Sequence, residues 1–211
     1  MQLFIMNDLR QSFLMGINMK KTIALFLLFP LLLVVTGCST VAPGYNGSRQ
    51  NIEAINSIGE FKVGVDHFTD FEGPDNKKQL SMRGNAATSP YGTTFASYIE
   101  GAVRQDLSIS GKLFDSSKNR ISGVLLKNDV DASSFSTGTG ICEVEFSLMN
   151  DSNVLFKKKI TQNHQWESSF VGAIAIPKAT NEYPVMVEKL LNKLFTDNDF
   201  ISAIKLSVVG Y

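Results

Sequence analysis

Among the chain's 211 residues, few could carry out polar chemistry: two histidines, two cysteines, and several serine pairs in turn-rich stretches. Cys142 and His164 invite a thiol nucleophile with an imidazole base. Cys142, however, is in phase with Val144, Phe146 and Leu148, so the alternation points its thiol into a core, where a cysteine behaves as a small hydrophobe. His164 falls in phase with Trp166 on a strand-like stretch. Asp66, His67 and Asp70 offer metal-ligand types with a single imidazole among them, and they read as the polar end of a strand and not as a metal site. Ser116-Ser117, Ser133-Ser134 and Ser168-Ser169 lack a Gly-x-Ser-x-Gly setting. Gly138-Thr139-Gly140 lies between strands instead of opening a helix, so neither a phosphate loop nor a dinucleotide fingerprint is present. No catalytic residue, metal or cofactor is expected, and the chain reads as a protein that is not an enzyme.

One stretch points to contact in place of catalysis. In "WESSFVGAIAIPKA", residues 166 to 179, Phe170, Val171, Ile174 and Ile176 belong to an apolar run that enters a helix directly after a strand. It is either a buried crossover or an exposed lip for a partner or a lipid tail.

The elements that must position these residues follow from periodicity. Phe61, Val63 and Val65 alternate as a first strand, and residues 69 to 90 lack apolar rhythm and read as a long surface loop, with room for a short strand around Gln79 to Met82. Phe95, Tyr98, Ile99, Ala102, Val103 and Leu107 form a helical stripe ending near Gly111. Ile121 to Asp129 is a second strand. Cys142 to Leu148 and Val154 to Trp166 form a hairpin around the turn "NDSN", whose outer Glu143 and Glu145 face lysines across the pair. A helix from Pro177 to Phe195 holds Pro184 inside its pattern, and a short capped helix follows at 197 to 205. The order β-α-β-β-β-α predicts an α+β domain: an antiparallel sheet of about four strands with two main helices on one face.

The chain start carries an address. From Met19, two lysines precede an apolar stretch, Ile23 to Val35, which is short for a membrane span and has the form of a bacterial export signal. Translation is expected to begin at Met19, since residues 1 to 18 lack a basic start. Val35-Thr36-Gly37-Cys38 resembles the lipobox of bacterial lipoproteins. That resemblance implies cleavage between Gly37 and Cys38, diacylglyceryl attachment to the Cys38 thiol and acylation, typically with palmitate, of the new amino terminus. Several acyl chains hold a protein stably on a bilayer where one does so marginally. The expected organisation is a leader and signal peptide at 1–37, a lipidated cysteine with a Ser/Gly/Pro-rich flexible tether at 38–58 that lifts the fold off the bilayer, and a single domain at 59–211. A chain starting at Cys38 has 174 residues, 17 of them basic and 19 acidic, a balance that argues against nucleic acid. With Cys38 lipidated, Cys142 has no disulfide partner.

The order of elements, with "YIEGAVRQDL", "SGVLLKNDVD", "SSFVGAIA" and "MVEKLLNKLFTDNDFISAIK", resembles the YajG-like lipoproteins and the auxiliary lipoproteins of envelope ABC transport systems. The closing rhythm Leu191, Leu194, Asp197, Phe200 is part of that likeness, and the 69–90 loop departs from it. The resemblance implies a non-enzymatic envelope lipoprotein, an accessory or scaffold subunit for a transport or assembly complex with a protein partner in the envelope. The alternative is a periplasmic carrier holding a lipid or another apolar molecule between the hairpin sheet and the C-terminal helix. Ser39 after the cysteine, in place of aspartate, resembles the signal for sorting to the outer membrane, facing the periplasm.

Overall fold

The computed structural model describes residues 39–76 and 79–209. The leader, Gly37 and Cys38 lie outside the described residues. In chain order the elements are β1 (Ser39–Val41), α1 (Arg49–Ile58), β2 (Gly64–Val65), β3 (Thr69–Asp70), β4 (Leu80–Met82), β5 (Asn85–Thr88), α2 (Phe95–Ile109), β6 (Asn119–Asp131), β7 (Thr137–Asn150), β8 (Asn153–Glu167), α3 (Gly172–Phe195) and α4 (Asn198–Val209). The class is α+β, as expected, but the single four-stranded antiparallel sheet is corrected to two sheets, and a helix at Arg49–Ile58 adds to the two main helices and the short one expected at 197–205.

The larger sheet is a long antiparallel meander, β6-β7-β8, extended by β2 and β3, which both pair parallel to β6. Of the expected first strand, built on Phe61, Val63 and Val65, Gly64–Val65 joins the sheet, and a second short piece, Thr69–Asp70, pairs along the same edge from within the expected loop. The hairpin register brings Glu145 opposite Lys159 and Glu143 opposite Thr161. Glu145 pairs with Lys157 at 2.9 Å, while Glu143 accepts from the Thr161 hydroxyl at 2.6 Å, so only one of the two expected acid-lysine contacts forms. Leu126 and Leu155 fall at shifts in the ladder, the mark of bulges that sharpen twist.

One face of the meander is covered by helices. Cys142, Val144, Phe146 and Leu148 from β7 lie in one buried cluster with Tyr98, Ile99 and Val103 from α2 and Val187, Leu190 and Leu191 from α3. Tyr98 and Tyr183 meet edge to face at 5.1 Å, and the Tyr183 hydroxyl donates to Asn128 Oδ1 at 3.0 Å. α2 starts at a Thr94 cap, whose hydroxyl accepts from Ser97 N, and its end is followed by Gly111 at φ +71°. α3 begins at Gly172, five residues before the expected Pro177, and contains both Pro177 and Pro184. Each proline forfeits one helical N–H, and packing of an apolar face holds the helix regardless.

The flexible tether is corrected. Residues 39–58 are folded: β1 pairs parallel with β5, Tyr45 and Ser48 are buried, and α1 follows a Ser48 cap. The reason lies far along the chain, on α2. The buried Asp106 carboxylate accepts from Tyr45 Oη at 2.8 Å, Asn51 Nδ2 at 2.9 Å and Ser48 N at 2.9 Å. Ser48 Oγ donates to Glu188 Oε1 at 2.7 Å, and Asn51 Nδ2 donates to the Glu188 carbonyl at 3.1 Å, which extends the network to α3.

Burial raises the Asp106 carboxyl above its ordinary value against the pull of these donors, with Glu188 adding to the rise. An acid raised in the fold binds its proton more tightly there than in the unfolded chain. Its contribution to stability is therefore complete below about 3.8 and is lost as pH climbs through the raised value. Asp197 behaves oppositely: burial works against it, but the Lys158 ammonium and the amides of Phe200 and Asp199 lower it, so its contribution is lost as pH falls. Asp106→Ala is expected to cost about 3 kcal/mol in urea unfolding at pH 7, since it orphans three buried donors. Acidification toward pH 4 should stabilise the native protein relative to Asp106→Asn and destabilise it relative to Asp197→Asn.

Candidate functional site

The strand pairing of β7 and β8 runs on past Glu167, where Ser168 N donates to Ser136 O at 2.8 Å, and then two loops diverge. The loop after β6 carries Phe135 and the loop after β8 carries Phe170. Their rings meet at 5.0 Å, tilted by 59°. Both rings face outward: Phe170 is 71% exposed and Phe135 69%, with Val171 at 51% at the cap of α3 and Ile174 at 57% on its first turn. Ile176 is half-buried, its carbonyl accepting from Thr180 Oγ1 at 2.8 Å. Of the two readings of this run, the exposed lip is the one found for Phe170, Val171 and Ile174.

Exposed apolar loops need an outside reason to hold a shape, and Arg83 supplies it. Its guanidinium donates to four backbone carbonyls: Ala132 at 2.6 Å, Ser134 at 2.9 Å, Ser169 at 2.8 Å and Phe170 at 2.8 Å. A planar fork of five N–H groups suits this task, whereas a lysine ammonium has three donors and no fixed plane. Arg83 sits with Gly84 at the turn of the β4–β5 hairpin, at φ +52° and +82°. Two positive φ values in a two-residue loop are the form that matches strand twist. A non-glycine residue there is strained by about 1–2 kcal/mol, which the four hydrogen bonds offset. The hairpin, residues 80–88, occupies part of the expected 69–90 loop, and its Leu80–Met82 strand agrees with the short strand expected there.

Beneath the lip, the indole of Trp166 occupies the place where a side chain at Gly138 would stand, within 2.2 Å of an added Cβ. Gly138 is thus required by close approach. Gly138-Thr139-Gly140 lies within β7 and not, as the sequence suggested, between strands, and its glycines make room for core side chains.

The remaining polar candidates do not converge. Cys142 is fully buried, and burial, with Glu143 adding to it, pushes its thiol up to about 12, which leaves it unreactive at neutral pH. His164 is buried, with Nε2 at 2.7 Å from Glu182 Oε2 and Nδ1 at 3.1 Å from Lys189 Nζ. The ammonium occupies Nδ1 as a donor, so the ring directs Nε2–H at the carboxylate and links sheet to helix. His67 pairs with Glu100, Asp66 with Arg120, and Asp70 accepts from Asn76. Among the described residues no three potential ligands gather at one point. The space between the hairpin sheet and α3, where the alternative reading places a carried molecule, is lined by buried side chains. Met186 Sδ lies within 2.9 Å of where a Cβ on Gly140 would stand.

No protein-family model matches the sequence, and no curated protein does. Solved structures resemble the fold at low identity. A protein of the family DUF330 from Xanthomonas campestris is 12% identical, with 82% of this chain and 96% of that chain covered at a TM-score of 0.47. A hypothetical protein from Chlamydia trachomatis is 7% identical, with 69% and 99% covered at 0.44. A candidate lipoprotein from Caulobacter crescentus is 10% identical, with 74% and 96% covered at 0.41. Likenesses of this order assign neither a family nor a function.

Sequence reasoning placed the Phe170 run but missed Arg83 and Phe135. The one local signal for Arg83 was its neighbour Gly84, a turn former, and Phe135 stood alone among serines. Arg83→Ala and Arg83→Lys should both lower the melting temperature, the alanine variant by about 1–3 kcal/mol of stability. Both should speed hydrogen exchange selectively across residues 132–136 and 168–171, read by mass spectrometry.

Proposed function

We propose that the chain is a non-enzymatic lipoprotein of the bacterial envelope, anchored through Cys38, that serves as an accessory or scaffold subunit of a transport or assembly complex. The observation that carries this reading is a contrast in placement. The chain's thiol and its interior imidazole are locked in packing and hydrogen bonds, while an apolar lip is held rigid outside by Arg83. Fixed geometry at a surface, without convergent reactive groups beneath it, suits contact and not turnover. The lipobox residues Val35 to Cys38 support the envelope location, and Ser39 supports the outer membrane as destination. The long edge strand β8, paired only with β7 among the described residues, offers a protein partner a place for strand addition. Lys157 and Lys159 there discourage promiscuous pairing.

The test is the mature amino terminus. Mass spectrometry of protein from native membranes should find Cys38 first and acylated, and Cys38→Ala should shift the protein to the soluble fraction. In a deletion strain, Cys142→Ser with His164→Gln should complement fully if the variant folds. Loss of complementation by the folded double variant would count against the scaffold reading.

A further inference from the structure

The residue after the lipobox cysteine is already inside a sheet. Ser39 pairs with Ala86 and Val41 with Thr88, so β1 enters at the Asn85 end of β5, beside the 83–84 turn. β1 lies two strand spacings, about 10 Å, from β4. From that same turn Arg83 reaches the carbonyls of Ala132, Ser134, Ser169 and Phe170. The chain's entry point and the apolar lip therefore share one end of the domain, with no slack between Cys38 and the fold.

We infer that this end rests on the lipid bilayer, with Phe135, Phe170, Val171 and Ile174 seated in its interfacial layer. The inference rests on the lipidation of Cys38 proposed above. Three features select a bilayer over a protein partner. Acyl chains on Cys38 hold the first residue of β1 within one residue of the membrane surface, which brings the lip to the same plane. The loops that form the lip carry no charge, from Ala132 to Cys142 and from Ser168 to Pro177, and the exposed Ser133, Ser134 and Ser136 offer hydroxyls to headgroups. The one cation among them, Arg83, has its guanidinium occupied by carbonyls.

Asp131 and Glu167 stand just behind the lip and limit insertion to the depth of the rings. The 150–153 turn stands roughly 45 Å away, the run of a 14-residue antiparallel strand. Around it the exposed charges of Lys118, Asp151 and Lys157 stand beside the exposed Val154 and Leu155, so this end, unlike the lip, mixes charged with apolar side chains. The lip thus fixes which way the domain faces.

The experiment uses the lipidated protein reconstituted in phosphatidylethanolamine–phosphatidylglycerol vesicles. A polarity-sensitive fluorophore is placed on Phe170→Cys or Ile174→Cys, with Asp151→Cys as the far-end control. Cys38 carries lipid and buried Cys142 does not react, so labelling is selective. Doxyl-labelled lipid is expected to quench the 170 and 174 labels at least threefold more than the 151 label, and aqueous iodide to do the reverse. Equal iodide access at both ends would overturn the inference. So would protection of the 170 and 174 labels that appears only when envelope proteins are added and without lipid quenching, which would make the lip a protein-docking surface. If the native amino terminus proves unacylated, the lipoprotein reading fails. A 38–211 chain with Cys38→Ser and an amino-terminal hexahistidine tag, held on vesicles containing a nickel-chelating lipid, keeps the introduced cysteine as the reactive thiol and still reads the lip, so the two failures are distinguishable.

Discussion

A single buried carboxylate decides how the first twenty described residues behave. Asp106 on α2 accepts from a tyrosine hydroxyl, an asparagine amide and a backbone amide, all from residues 45–51. A charge that is buried must be met by donors, and each donor that is buried must be met by an acceptor, so neither side of this contact is tolerable without the other. The result is mutual: the segment cannot wander as a tether, and α2 cannot keep its carboxylate inside without the segment. The position of β1, and through β5 that of the Arg83 turn, follows from that closure.

Arg83 repeats the same logic at the other end of the chain of consequences. Carbonyls of two diverging loops would each need water or a turn of their own, and one guanidinium gathers four of them. The strain of placing an arginine at φ +52° is then a condition of aiming the fork at the loops. Core and lip remain separate: Trp166 and Gly138 close the sheet beneath while Phe135 and Phe170 stay outside it.

How much of this could be read from residues alone depended on distance along the chain. The α2 stripe, the β7–β8 alternation and the "NDSN" turn are periodic signals complete within a short window, and they placed those elements well. β6 was found because its apolar positions alternate despite a bulge at Leu126. The segment 39–58 misled because Ser, Gly, Pro and Asn are common both in tethers and in capped, hydrogen-bonded folds, and the acceptor that settles the matter is 55 residues away from Asn51. β4 and β5 are three and four residues long, too short for any periodicity, and the parallel pieces β2 and β3 are shorter still. Of the site, the apolar run at 170–176 was visible because it interrupts polar sequence, whereas Arg83 looks like any surface arginine until its four acceptors are in place.

The pairing of β1 with β5 also sets a clock. On the proposed reading, a membrane-bound peptidase must grip the chain in extended form on both sides of the Gly37–Cys38 bond. Ser39 cannot be in that grip and in a sheet at once. The partner strand lies more than forty residues downstream, so acylation and cleavage have a window while β5 is still being delivered, and β1 closes afterwards. On that reading maturation would have to precede closure of a three-residue strand, since a chain that folded first would hold the residue next to the cleavage point in a sheet.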